Sequence, residues 1–225
     1  MNPPPYVSLN NRQTHTLAHK GDRALRKLIV TNIVSLDGYY EGPGHNVMVL
    51  PMDHRFDEYN LERIRVAETL VLGGTSYLMF KGFWPAMADN PDANPVHREF
   101  AQLENAIDKV VVSDSLTDDD TDPWRDTTRI VRRAEAHKTI ADLRRGDGGD
   151  LLMFGSHRTW NDLLGAGLVD ELHLIVGATI LGDGTPIFVT PPPAGLHLLG
   201  TEMWDDSDNV LVRYAVRQPS SEGPS

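Results

Sequence analysis

Twice in this chain a short apolar run ends in glycine and opens directly into a helix-like segment: LVLGGTSY at residues 70–77 and LLMFGSHRTWNDLL at 151–164. A strand that feeds a helix at once returns to its sheet by a crossover. Repeated strand–helix alternation therefore predicts an α/β protein with a mostly parallel sheet covered on both sides. The period of the apolar residues extends the pattern, with strands expected at 27–35, 69–73, 109–113, 129–132, 150–154, 171–176, 196–204 and 210–217. Helices are expected at 55–67, briefly near 75–80, and at 96–106, 136–144 and 157–166. The link WDDSDN between the last two strands is too short for a crossover and predicts an antiparallel hairpin.

The 225 residues suit one large domain, expected at 27–217. Residues 1–26 carry a Pro triplet and no periodicity, and read as a flexible extension; residues 218–225 read as a disordered tail. His15 and His19 have helical spacing but no acidic companion, so a polar tail is preferred to a metal site. With 21 Lys and Arg against 32 Asp and Glu, the net charge of −11 disfavours nucleic acid as a partner. The chain has no cysteine, which removes disulfides and thiolate chemistry and agrees with a cytoplasmic location. No apolar run approaches membrane-spanning length, so no membrane partner is expected. No metal is expected either: the acidic run at 117–122 lacks the spacing of a calcium loop.

In an open α/β sheet, ligands collect beyond the carboxyl ends of the strands. Four polar junctions fall there: Asp37-Gly38, Gly73-Gly74-Thr75-Ser76, Ser113-Asp114-Ser115 and Gly155-Ser156-His157. Glycines let a ligand approach the backbone, and the first amides of the following helices suit phosphate oxygens. Plain helix capping accounts for the same hydroxyl residues, and core or surface roles account for Trp84 and His157. The Rossmann, P-loop and G-x-S-x-G patterns are absent. A hairpin turn explains the glycines of LGDGTP at 181–186, although close approach to a cofactor requires them equally.

The segments VTNIVSLDGYY, ETLVLGGTSYLMFKGFWP, DKVVVSDSL and DLLMFGSHRTWNDLLGAGLVDELHLIVGATILGDGTPIF together cover most of residues 27–190. In that order they resemble the dihydrofolate-reductase-like superfamily, specifically the reductase domain of riboflavin-biosynthesis deaminase-reductases (the RibD C-terminal type) and its stand-alone relatives. The resemblance implies a mixed sheet of about eight strands, a homodimer, and a nicotinamide cofactor, usually NADPH, held by Gly73, Gly74, Thr75, Ser76, Ser113, Asp114, Gly155, Ser156, His157 and Arg158. It also implies reduction of a small heterocyclic or carbonyl substrate, as by 5-amino-6-(5-phosphoribosylamino)uracil reductase or dihydrofolate reductase. No deaminase zinc motif is present, so the bifunctional activity is not expected.

Reduction of a C=N or C=O bond needs a proton donor. Asp37 is expected in that role, with Ser35, Tyr39, Tyr40 and Trp84 around the substrate and Gly42-Pro43-Gly44 closing over it. Asp57, on the helix after the first strand, competes, as do Asp53 and Glu58. Many stand-alone relatives carry arginine at the position of Gly74 and a basic residue at that of Asp114, contacts suited to a 2′-phosphate. Their loss predicts that NADH binds at least as well as NADPH, unless Arg129, Arg132 or Arg133 folds in to replace the charge. A flavin- or deazaflavin-dependent reductase and a non-catalytic nucleotide-binding protein are the alternatives.

Overall fold

The computed structural model describes residues 25–189 and 195–217. The expected tail, most of the expected N-terminal extension and the pair His15 and His19 fall outside them. Arg26, assigned above to the extension, belongs to the domain. It is buried, its guanidinium donates to the Gly149 carbonyl and to Thr69 Oγ1, and its backbone N–H donates to Arg144.

An eight-stranded sheet forms the middle layer. Its strands are β1 (Leu28–Ser35), β3 (Ala67–Gly73), β4 (Asp108–Val112), β5 (Thr128–Val131), β6 (Asp150–Phe154), β7 (Glu171–Gly177), β9 (Gly195–Trp204) and β10 (Ser207–Arg217). A separate ribbon joins β2 (Tyr39–Glu41) to β8 (Thr185–Pro186). The sheet order is β5-β4-β3-β6-β1-β7-β10-β9, parallel from β5 to β7, with β10 antiparallel to both β7 and β9. This is the mostly parallel mixed sheet with a C-terminal hairpin that the sequence pattern implies.

All eight residues of β1 are buried, because both faces of the strand are covered. Leu28, Val30 and Val34 join a core with Trp160, Leu163 and Leu164 of α5 (His157–Gly165) and Ile140 of α4 (Arg133–Arg145). On the opposite face, Ile29 packs with Leu61 and Ile64 of α1 (His54–Val66) and Phe100 of α3 (Pro95–Ala106). Asp53 starts α1 by accepting the Arg55 and Phe56 N–H groups, and its other oxygen accepts from Ser207 in the terminal hairpin. Arg55 clamps Asp206 in that hairpin's turn through two guanidinium contacts of 2.8 Å.

The short helix expected near 75–80 extends further, as α2 (Gly74–Met87). Phe80 and Trp84, one turn apart, both pack against the α1–α3 core, and that burial carries the helix past Phe83 to include Pro85. β9 is the outer strand and leaves Leu196, Leu198, Leu199 and Met203 exposed.

Glu104 on α3 is fully buried and neither carboxylate oxygen has a hydrogen-bond partner. Burial pushes its pKa up to about 8, and burial brings that of nearby Lys109 down to about 8. Lys109 is supported independently by the Ile107 carbonyl, Thr127 Oγ1 and the Trp124 ring. An acid whose folded pKa is raised contributes its full stability below the unfolded value of 4.5. That contribution is lost as pH climbs toward 8. Glu104→Met is therefore expected to stabilise the protein by about 1–3 kcal/mol at pH 8 and by less at pH 5. Melting curves of both proteins at the two pH values check this; a gain that is absent, or larger at pH 5, contradicts it.

Candidate active site

The two glycine junctions lie side by side because β3 and β6 are neighbours. They are also cross-linked. Ser156 Oγ accepts the Gly73 N–H at 3.0 Å, and Ser76 Oγ accepts the Ser156 N–H at 2.8 Å. Gly155 and Ser156 both adopt positive φ, +55° and +56°, turning the chain sharply from β6 into α5. At Gly155 a Cβ would lie 3.2 Å from the Tyr40 hydroxyl and 3.3 Å from Ser76 Oγ. At Gly73 and Gly74 it would meet Thr159 Oγ1 at 2.6 Å and Ser113 Oγ at 2.9 Å. These glycines are thus required by the packing of one junction on the next. Neither α2 nor α5 receives a side-chain cap from its N-cap residue, Gly73 or Ser156. Their first-turn amides face the same rim, and Thr75 and Arg158 are exposed there.

His157 is placed otherwise. Its Nε2 donates to the Pro186 and Ile187 carbonyls at 2.8 and 3.0 Å, and its ring stacks on Tyr40 at 4.9 Å. It ties the β2–β8 ribbon to α5, and its hydrogen-bonding nitrogen is occupied by the fold itself.

At the next junction, Ser113 Oγ accepts the Ser115 and Leu116 N–H groups. Asp114 accepts the Arg133 backbone N–H at 3.0 Å and lies 3.4 Å from the Arg133 guanidinium. Arg132 donates to the Ser113 and Leu116 carbonyls. The acidic residue that motivated the expectation of NADH is therefore paired with the Arg133 guanidinium, while that of Arg132 is held by backbone carbonyls of the same junction. In sequence both are, with Arg129, only residues able to fold in and replace the lost charge; they lie some 20 residues further along, and the β4–β5 pairing brings them there.

Beside this rim a cavity of about 180 Å³ opens between β1, α1, α2 and α3. Its walls include Ile33, Leu50, Phe56, Phe80, Trp84 and Phe100, with Phe154 and Gly155 where β6 ends. Val47, Leu50 and Met52, from the segment that follows Gly42-Pro43-Gly44, cover it. Tyr40 is a wall residue, whereas Ser35 and Tyr39 are not: Ser35 Oγ accepts the Tyr39 N–H and shapes the turn after β1.

One acid enters the cavity, Asp57. It projects from the first turn of α1, and His97 of α3 contacts it from Nε2 at 2.8 Å. Burial raises its pKa, an effect that His97 opposes. Asp37 is elsewhere. Its carboxylate is exposed and accepts the Leu181 and Gly182 N–H groups at 3.1 and 2.7 Å, and these bonds, after that to Ser35, lower its pKa. Asp37, expected as the proton donor, is not among the cavity's lining residues, and its carboxylate braces the 181–184 loop. His97 was missed in sequence because its only local signal is a polar residue on an apolar helix face.

The LGDGTP glycines do not form a hairpin turn. Thr185 and Pro186 pair with Tyr39 and Glu41, and a Cβ on Gly184 would lie 2.1 Å from the Glu41 carbonyl oxygen. Close backbone approach, within the protein itself, is what they serve. Among the described residues no cluster of three or more metal-ligating side chains occurs, and no helix is long and apolar enough to cross a membrane.

The sheet order and the cavity beside its carboxyl edge define a dihydrofolate-reductase-like α/β protein. Within that class the chain belongs to the RibD C-terminal domain family, whose model matches residues 26–212. The uncharacterized protein YyaP of Bacillus subtilis (strain 168) is 25% identical over 166 residues, 73% of this chain and 81% of that protein. Among solved structures, a Shewanella sp. PV-4 protein named for riboflavin biosynthesis superposes with a TM-score of 0.64 at 20% identity, covering 85% of this chain and 99% of that one. The diaminohydroxyphosphoribosylaminopyrimidine deaminase/5-amino-6-(5-phosphoribosylamino)uracil reductase of Thermotoga maritima gives a TM-score of 0.58 at 13% identity. Here 85% of this chain covers 57% of the larger protein.

Proposed function

We propose that the chain is a nicotinamide-dependent reductase of a small heterocyclic or carbonyl compound. One observation carries this reading: Gly155 belongs both to the paired glycine junctions and to the wall of the cavity that holds Asp57. A cofactor along the rim and a substrate in the cavity would meet at that residue. The residues present fit a dinucleotide, since two uncapped helix N-termini stand together at one sheet edge. The first-turn amides of α2 and α5, with Arg158, would hold its phosphates, and the bound dihydronicotinamide supplies the hydride.

The protein's part is orientation and a proton. Asp57, kept protonated to higher pH than an exposed aspartate, donates to the reduced atom, and His97 fixes the carboxyl by its 2.8 Å contact. Leu50, Met52 and Trp84 exclude water from this exchange. Because the donor must be protonated, kcat/KM is expected to fall as pH rises through the raised Asp57 pKa.

Arg132 and Arg133 also revise the expected cofactor preference. Arg133 offsets the Asp114 charge and Arg132 is anchored at the same junction, so the corner favours a 2′-phosphate and NADPH is proposed to bind more tightly than NADH. Titration of the protein with NADPH, NADH and flavins tests the reading. Arg133→Ala should weaken NADPH about tenfold, a modest effect in keeping with an exposed side chain, and should leave NADH nearly unchanged. Equal weakening of both cofactors counts against the assignment; binding of flavin alone counts against the nicotinamide reading altogether.

The apolar residues exposed on β9 support assembly as a homodimer through that edge. Light scattering at micromolar concentration should then give twice the chain mass, and a monomer contradicts it.

A further inference from the structure

We propose that the substrate carries an apolar substituent, which leaves the Asp57 cavity at its mouth and lies along α2 over Met79 and Phe83. This deepens the reductase reading and rests on it for placing the reacting group in the cavity.

The first support is space. The cavity has a volume of about 180 Å³, and one of about 150 Å³ is already filled by a benzene ring. A substituent much larger than a methyl group must therefore leave it. Met79 marks the way out. It is the one lining residue that is exposed, at 49%, while the others are buried or half-buried. The second support is what lies beyond. Phe83 follows Met79 by one turn on the same side of α2 and is 47% exposed. An edge-on contact with Trp84, 4.9 Å between centroids, holds its ring in place at the surface. On the opposite lip Val47 lines the cavity, and Met48 next to it is 78% exposed.

The third is charge. Asp, Glu, Lys and Arg make up 24% of the chain, yet the covering segment 42–52 contains none and α2 contains only Lys81. Lys81 is turned aside, donating to the Asp120 carbonyl. Apolar side chains left exposed together at a cavity mouth mark a binding surface. The dimer edge proposed above does not cover them: α2 follows β3, and β6, β1, β7 and β10 stand between β3 and β9. Because Met79 belongs both to the cavity wall and to the exposed surface, the occupant that fits is an extension of the molecule in the cavity.

Calorimetric titration with acetophenone, 4′-butylacetophenone and 4′-(2-hydroxyethoxy)acetophenone tests this; the last two carry chains of equal length, one apolar and one polar. The wild-type protein should bind the butyl compound about tenfold or more tighter than acetophenone, roughly twofold for each carbon laid on a one-sided track. The hydroxyethoxy compound should stay within about threefold of acetophenone. Phe83→Ser should remove about threefold or more of the butyl advantage and leave acetophenone within about twofold. Leu78→Ser, at an exposed apolar side chain on another face of α2, should change neither. Equal gains from the two chains, or no gain from the butyl chain, overturn the proposal from the wild-type data alone, whatever the variants' stability. A butyl advantage that survives Phe83→Ser, or that falls as far in Leu78→Ser, overturns the path along α2. A lower assembly mass for Phe83→Ser in light scattering gives the surface to a second copy instead. Because turnover is not read, failure of the reductase reading shows separately, as absence of NADPH or NADH binding with the chain preference intact.

Discussion

Asp57→Asn is expected to lower kcat by roughly 10²–10³ while leaving NADPH affinity within about twofold. Asparagine keeps the volume and a hydrogen bond to His97, so the cavity should hold its shape and lose only the transferable proton. The substitution also removes a carboxyl that burial already disfavours in its charged form, so the melting temperature should not fall. A second readout separates proton donation from a structural role. The fall of kcat/KM with rising pH should disappear in the variant, because the group whose protonation governs it is gone. His97→Gln, which alters positioning alone, should keep that pH dependence with a smaller loss of kcat. Asp37→Asn serves as the contrast: it weakens the brace to Leu181 and Gly182 and should cost stability before it costs chemistry. Full activity in Asp57→Asn, or a collapse confined to Asp37→Asn, would return the donor role to the turn after β1.

The second large effect is expected at Gly184. Its φ of +141° is a conformation that only glycine adopts without strain, and an added Cβ would sit 2.1 Å from the Glu41 carbonyl oxygen. Gly184→Ala must therefore separate β8 from β2. Three contacts weaken with it: the Thr185 hydroxyl to Glu41 at 2.7 Å, the Ile187 N–H to the Gly38 carbonyl at 2.9 Å, and the seat of His157 on Pro186. A destabilisation of about 2–4 kcal/mol is expected, or roughly 4–16 °C in melting temperature for a chain of this size. Since the same ribbon holds Tyr40 against the cavity, substrate KM should rise as well. Gly182→Ala is the control. Its φ is also positive, +73°, but no atom lies within 4 Å of the added carbon, so only about 1–2 kcal/mol of backbone strain is expected. Equal melting temperatures for the two variants would show that the ribbon yields without cost.

Apolar period and glycine punctuation were enough to read the architecture. The runs at β1, β3, β4, β6 and β7 are short, apolar and closed by turn residues, and hydrophobic burial on both faces allows few other arrangements. The pairing of the two glycine junctions was likewise legible, because identical strand-to-helix grammar places both at the same sheet edge. Tertiary structure decided what each polar residue there does. A side chain's role depends on which groups face it across the sheet, and those come from distant segments whose register no local pattern encodes. In sequence Asp37 is the expected acid and Asp57 its competitor, yet the first meets Leu181 and Gly182 in solvent and the second meets His97 inside an apolar wall. Asp114 alone reads as a repulsive charge; with Arg133 folded onto it from the β5–α4 corner, it is half of an ion pair. The sequence by itself determined the sheet, its covered faces and the edge where chemistry collects, since burial is written residue by residue. Only the assembled structure decided desolvation and pairing, because both are sums over neighbours that the chain brings together after it folds.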